Sequence, residues 1–348
     1  MTWIAEFGLS LPLIQAPMAG TSTPELAAAV SNAGALGSIA VGATDAAGAR
    51  AMIAQTRALT ARPFNVNLFV HATPQPDAAR EAAWLAELAP LFARYGAVPP
   101  QELRTIYQSF GDDDAMLRLL VEQAPPVVSF HFGLPDAARI AALKGAGSLL
   151  VATATSLAEA ALCKAAGIDA VVAQGWEAGG HRGVFDPEAP DDRLGTLALT
   201  RLLVARADLP VIAAGGIMDG QGIRAALDLG AVAAQLGTAF VRCPESSADQ
   251  AYREAMAGKA AEYTVMTSVI SGRPARCLAN RFTTWGAEAE RQVPAYPIAY
   301  DAGKALNAAA KTAGEHGFGA QWAGQGAPLS RALPAAELVA RLAAEAGL

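Results

Sequence analysis

Ala170-Val171-Val172-Ala173-Gln174-Gly175-Trp176-Glu177-Ala178-Gly179-Gly180-His181-Arg182-Gly183 is the stretch from which the fold can be read. Four small apolar residues form a run suited to a strand buried on both faces. The run ends in a glutamine, and a glycine-rich turn then delivers a histidine. The same pattern follows twice. Pro210-Val211-Ile212-Ala213-Ala214 leads into Gly215-Gly216, and Ala233-Ala234-Gln235-Leu236 leads into Gly237-Thr238. Upstream, apolar runs at 13–18, 36–40, 64–70, 127–132 and 148–153 bring the strand count to eight. Helical patterns at 135–144, 156–166, 197–207 and 219–229 separate several of them, and Thr23-Pro24-Glu25 opens another. Eight β-α units predict an α/β chain closed into a (β/α)8 TIM barrel rather than an open sheet.

Two stretches exceed the repeat. The reading is barrel over 1–73, a helical cap insertion over 74–124, barrel over 125–243, a second helical cap insertion over 244–316, and a closing segment over 317–348. The last carries the final barrel helix, Pro334 to Ala346. Both insertions leave the C-terminal ends of strands, where barrel enzymes keep their chemistry.

The 348 residues are 53% hydrophobic, enough for a large buried core. The net charge of −6 and the lack of a basic tract argue against nucleic acid or an anionic membrane as partner. Met1 to Glu6 lack a signal pattern, and no apolar run reaches membrane-spanning length. Cys163, Cys243 and Cys277 are scattered without a CxxC pair. That predicts a reducing, cytoplasmic setting and no metal site.

The polar residues at the predicted strand ends are Gln15, Asn67, His131, Thr153, Gln174, His181, Gln235 and Thr238, with Met18 among them. Amides in such numbers can read a flat heterocycle but make poor metal ligands. Gly215-Gly216 and Gly237-Thr238 on adjacent strands offer backbone N–H groups for a phosphate. Gly220-Gln221-Gly222-Ile223-Arg224-Ala225 matches a dinucleotide fingerprint, but no ribose-binding acid ends the following strand, so it reads as helix capping. His71 and His316 read as loop residues. Tyr296, Tyr300 and Lys304 recur at i, i+4 and i+8, one stripe of a helix with Pro297 in its first turn. Two phenols and an ammonium on one stripe suit a small oxyanion, and equally a solvated helix face. Tyr107 and Tyr252 in the two insertions could join the same lid.

Gln15-Ala16-Pro17-Met18-Ala19-Gly20, Phe64-Asn65-Val66-Asn67, Glu177-Ala178-Gly179-Gly180-His181-Arg182-Gly183, Ala214-Gly215-Gly216-Ile217 and Gln235-Leu236-Gly237-Thr238 together resemble the nitronate monooxygenases, formerly 2-nitropropane dioxygenases, of class I. The resemblance spans nearly the whole chain. It implies a barrel that holds FMN and oxidises alkyl nitronates with O2, propionate 3-nitronate being the implied substrate. It implies His181 as the catalytic residue. It places FMN on Met18, Asn67, Gln174, Gly179, Gly216, Gln235, Gly237 and Thr238, with Gly180 and Gly215 in the same turns. It places substrate against His131, Tyr107, Tyr252, Tyr296, Tyr300 and Lys304. The partners expected are a small anionic substrate and O2, with a homodimer left open. The run Gln321 to Gly326 also looks like the family and is expected to close over the flavin. The competing reading is a flavin-dependent NAD(P)H reductase of the enoyl-acyl-carrier-protein or quinone type on the same barrel. A non-catalytic flavin- or nucleotide-binding protein is a third.

Overall fold

The computed structural model describes residues 8–289 and 291–348, so the N-terminal reading over Met1 to Glu6 lies outside the described residues. The strands run β1 Leu13–Gln15, β2 Gly37–Ala40, β3 Phe64–Phe69, β4 Val127–His131, β5 Leu149–Ala154, β6 Ala170–Gln174, β7 Gly180–His181, β8 Val211–Ala214 and β9 Ala233–Leu236. All but β7 form one parallel sheet in the order β1-β9-β8-β6-β5-β4-β3-β2. A parallel bridge from Ile14 to Leu36, with Gln15 N donating to Leu36 O and Leu36 N to Leu13 O, joins the two ends. Eight strands therefore close into the barrel expected from the repeat.

The helices of the wall are α1 Pro24–Asn32, α2 Ala46–Leu59, and, after the cap helix α3 Ala78–Arg94, α4 Asp114–Gln123, α5 Ala137–Gly145, α6 Leu157–Ala165, α7 Thr196–Arg206 and α8 Gly220–Asp228. After α9 Gln250–Ala257, α10 Arg281–Ala287 and α11 Ile298–Thr312, the wall closes with α12 Ala335–Ala346. Local chemistry starts them, at Thr23 as expected. Thr23, Asp45, Asp136, Ser156 and Asp219 each accept a backbone N–H of the first turn of the helix they precede. Each such cap contributes about 1 kcal/mol. Asp219 settles the false fingerprint: it caps α8, and Gly220 is glycine because its Cβ would strike Glu345 and Ala346 of α12.

Two expectations are corrected. Residues 74–124 are not all cap. Met116, Leu119 and Leu120 of α4 are buried against Val66, Leu68 and Phe130, so α4 is the wall helix between β3 and β4. An amphipathic helix shows the same periodicity whichever apolar surface it meets, so spacing could not separate α4 from α3. Nor is the cap purely helical. β10 Thr264–Thr267 and β11 Ala275–Leu278 form an antiparallel pair, and β11 pairs on its other side with β7. The His181 turn is thus the edge strand of a small sheet supplied by the second insertion. The rest of the cap, α3, α10 and α11, has its own core around Trp84, Leu88, Phe92, Phe282, Leu306 and Phe318. No helix among the described residues is long and apolar enough to cross a membrane.

Candidate active site

A cavity of about 490 Å³ opens at the C-terminal ends of the strands, within the usual size of small-molecule sites. It is lined by residues from both halves of the expected site. From the turns after β8 and β9 come Gly215, Gly216, Gln235, Gly237 and Thr238. From the cap come Tyr107, Tyr252, Tyr296, Tyr300 and Lys304, and from the closing segment Trp322. Met18, Asn67, His131, Gln174, Gly179, Gly180 and His181 complete the lining.

The turn that carries His181 is held from behind. Gly195 precedes α7 without a side-chain cap, and Glu177 supplies one: its carboxylate accepts Thr196 N at 2.8 Å and Thr196 Oγ1 at 2.8 Å. Arg182 is buried, pairs with Asp191 at 2.7 Å, and donates to the Gln174 carbonyl. Glu177 and Arg182 thus brace the turn, and neither lines the cavity. Gln174, expected as a cofactor contact, spends its amide on the same turn. Nε2 donates to His181 O at 3.0 Å and Oε1 accepts Gly183 N at 2.7 Å.

The two rim histidines have different duties. His131 has both ring nitrogens engaged: Nε2 donates to His181 O at 3.1 Å, which leaves Nδ1 to accept from Thr153 Oγ1 at 3.0 Å. It lines the cavity but holds the backbone of His181. The His181 ring meets Ser271 Oγ through Nε2 at 2.9 Å and lies 5.0 Å from Trp322 and 5.3 Å from Tyr296, ring to ring. Burial, then the charges of His131 and Arg273, hold its pKa well below the ordinary histidine value. At neutral pH it is a neutral base.

The tyrosines differ too. Tyr252 donates its hydroxyl to Trp322 O, so it fixes Trp322 rather than offering a proton to a ligand. Tyr107, Tyr296 and Tyr300 form an aromatic wall with centroids 5.9–6.4 Å apart where they neighbour Tyr107. Burial raises all three phenols above their usual range, keeping them protonated donors. Tyr296 Oη has no partner among the described residues although it is buried. Tyr296 is not on the helix as the stripe required. α11 begins at Ile298, with Pro297 at its cap, so Tyr296 reaches the cavity from the preceding turn. Tyr300 and Lys304 are on α11 one turn apart. The exposed Lys304 has its ammonium 5.1 Å and 5.3 Å above the Tyr107 and Tyr300 rings and makes no ion pair among the described residues.

The opposite wall is a cradle. The N–H groups of Gly215, Gly216, Gly237 and Thr238 have no protein acceptor among the described residues. Gly215 and Gly216 take φ of +127° and +68°, which only glycine adopts without strain. Thr238 Oγ1 accepts Gly324 N, so its own hydrogen remains to donate. The Gln235 amide is unpartnered among the described residues, and Asn67 uses its NH2 on Ser129, leaving its carbonyl oxygen. Backbone donors for a phosphate beside amides for a heterocycle fit FMN. The described residues contain no cluster of side chains that could hold a metal.

Sequence reasoning missed three parts. His71 is not a loose loop residue: it is buried 5.0 Å from the Tyr296 ring. Phe132 packs between His131, His181 and Tyr296 with φ of +79°. A bulky residue there carries about 1–3 kcal/mol of strain, a common mark of functional walls. Ser271 gave no signal at all. His316 stays at the surface as expected.

His71 and His131 give a pH prediction. Burial pushes both down from 6.5 to about 4. The unfolded chain then binds more protons between those values, so stability falls as pH falls from about 6.5 towards 4. Each ring contributes about 1.4 kcal/mol per pH unit. Denaturant midpoints should drop between pH 7 and pH 5. Equal midpoints would place both rings in solvent.

The nitronate monooxygenase family model matches residues 2–345. A nitronate monooxygenase of Paraburkholderia phytofirmans is 64% identical over 97% of this chain and 93% of its own. Nitroalkane oxidase from Streptomyces ansochromogenes superposes with a TM-score of 0.88 at 43% identity, covering 97% of this chain and 96% of that one. FabK from Thermotoga maritima superposes with 0.76 at 29% identity, covering 100% and 96%.

Proposed function

The chain belongs to the nitronate monooxygenase family, and from that we propose that it binds FMN at the rim and oxidises small anionic nitronates with O2, propionate 3-nitronate among them. The observation that carries this reading is the two-sided cavity: backbone donors in the turns after β8 and β9, unpartnered among the described residues, share it with a wall of three protonated phenols, an ammonium and a neutral histidine. The more distant likeness to FabK weakens the reductase alternative, and the tyrosine-lysine wall suits a compact anion.

Gly215, Gly216, Gly237 and Thr238 would hold the phosphate, and Asn67 and Gln235 the ring edge. Bound there, FMN supplies electron transfer from the nitronate to O2. The rest belongs to the chain. Lys304 attracts the anion at the mouth. Tyr107, Tyr296 and Tyr300 donate hydrogen bonds to its oxygens without giving up their protons. Trp322, fixed by Tyr252, covers the His181 side and excludes water. His181 needs no proton from a nitronate, which is already an anion. With a neutral nitroalkane it can remove the proton from carbon.

Cofactor released by heat should run as FMN on chromatography, because the cradle serves one phosphate and the only dinucleotide-like motif, at Gly220, is a helix cap. Release of FAD, or of no flavin, would overturn the assignment.

A further inference from the structure

The second insertion reaches His181 through one hydroxyl. Ser271 is fully buried, and its Oγ lies 2.9 Å from His181 Nε2 and 3.2 Å from the carbonyl oxygen of Arg273. The carbonyl can only accept, so the single hydroxyl hydrogen goes there. The Ser271 oxygen is then left to accept, and the hydrogen between Ser271 and His181 must sit on Nε2. The other ring nitrogen, Nδ1, has no partner among the described residues, yet it is not one of the buried unpartnered atoms. It therefore opens into the cavity that His181 lines.

We propose that Ser271 is a positioning residue that fixes His181 as the Nε2–H tautomer and so presents Nδ1 as the proton-accepting atom. The proposal rests on the reading of His181 as a base towards neutral nitroalkanes. In that step the carbon–hydrogen bond breaks, the proton goes to Nδ1, and the electron pair passes into the nitro group to give the nitronate. The ring becomes an imidazolium whose Nε2–H is already bonded to Ser271, so nothing reorients as charge appears. The ring cannot swing away. Its backbone carbonyl is held by His131 and Gln174, and its face is packed by Trp322 and Tyr296. The titratable and charged groups facing it are His131 from β4, His71 from the segment after β3, Arg273 from the segment before β11, and Tyr296 and Tyr300 from the cap. Among the described side chains, none of these offers the ring a carboxylate, so the serine is its one tautomer-setting partner.

The test begins with the unaltered holoenzyme. Nitrogen-15 spectra of histidine-labelled protein, with the His181 signals assigned by their loss in His181→Asn, should show a neutral ring protonated at Nε2. A ring protonated at Nδ1 overturns the proposal without any variant having to fold. Ser271→Ala should then lower the ratio of kcat/KM for a neutral nitroalkane to that for its preformed nitronate by about 10- to 100-fold, the range of one hydrogen bond to a charged group. An unchanged ratio overturns the proposal. If His181→Asn also leaves the ratio unchanged while the wild-type ring is Nε2–H, the base reading fails and the tautomer assignment stands.

Discussion

His181→Asn should lower kcat/KM for neutral nitroalkanes by about 100- to 10,000-fold, the usual share of a positioned general base. Preformed nitronates, assayed at the same pH, should lose less than about tenfold. The asymmetry follows from the chemistry of the two substrates. A nitroalkane must shed a proton from carbon, and among the described residues His181 is the only cavity-lining histidine with a ring nitrogen left for it. His131 is occupied on both sides. A nitronate arrives without that proton, so it needs only binding and contact with the flavin. Asparagine keeps a hydrogen-bonding group at the position and removes the basic nitrogen. Equal losses on both substrates would mean that His181 orients the ligand and moves no proton. The activity on nitroalkanes should also be insensitive to pH across the ordinary histidine range, because burial and neighbouring charges hold His181 neutral well below it.

Lys304→Met should raise the KM for propionate 3-nitronate by about 10- to 100-fold. One hydrogen bond to a charged group is worth about 1.5–3 kcal/mol, and that range sets the factor. Lys304 faces the cavity with only aromatic rings against its ammonium, while Asp301, one turn earlier, is taken by Arg104. Its charge is therefore available to a ligand. Desolvation pulls its pKa below the usual lysine value, a shift that Asp301 opposes. Methionine preserves the packing over Tyr107 and Tyr300. Simple alkyl nitronates lack the carboxylate. They should lose less if Lys304 reads that group, and as much if it reads the nitronate. Values of kcat/KM within about twofold of wild type on both would return Lys304 to the role of a surface lysine.

The barrel was legible because its strands are short apolar runs ending in glycine turns, a pattern that survives without knowledge of tertiary contacts. The residues that line the cavity were legible for the same reason: strand ends converge in a closed barrel, so a polar residue there has little choice of place. What the sequence could not separate was function from support. Gln174 and His131 look like ligand contacts, yet the Gln174 amide and His131 Nε2 are spent on the backbone around His181, and His131 Nδ1 on Thr153 Oγ1. Arg182, next to the histidine in sequence, pairs with Asp191 behind the turn. Those bonds join residues whose spacing carries no periodic signal. Ser271 meets His181 only because β11 pairs with β7, a contact between chain segments about 90 residues apart. Tyr296 fits a helical spacing and reaches the cavity from a turn, so its place in the lining was found for a partly wrong reason.

The most direct test is the visible spectrum of the purified protein under anaerobic conditions, on mixing with excess propionate 3-nitronate or with excess NADH. The account predicts that the bound flavin is reduced by the nitronate and reoxidised when O2 is admitted, while NADH leaves it oxidised on the same timescale. Rapid bleaching by NADH with no response to the nitronate would contradict it and place the chain among the reductases.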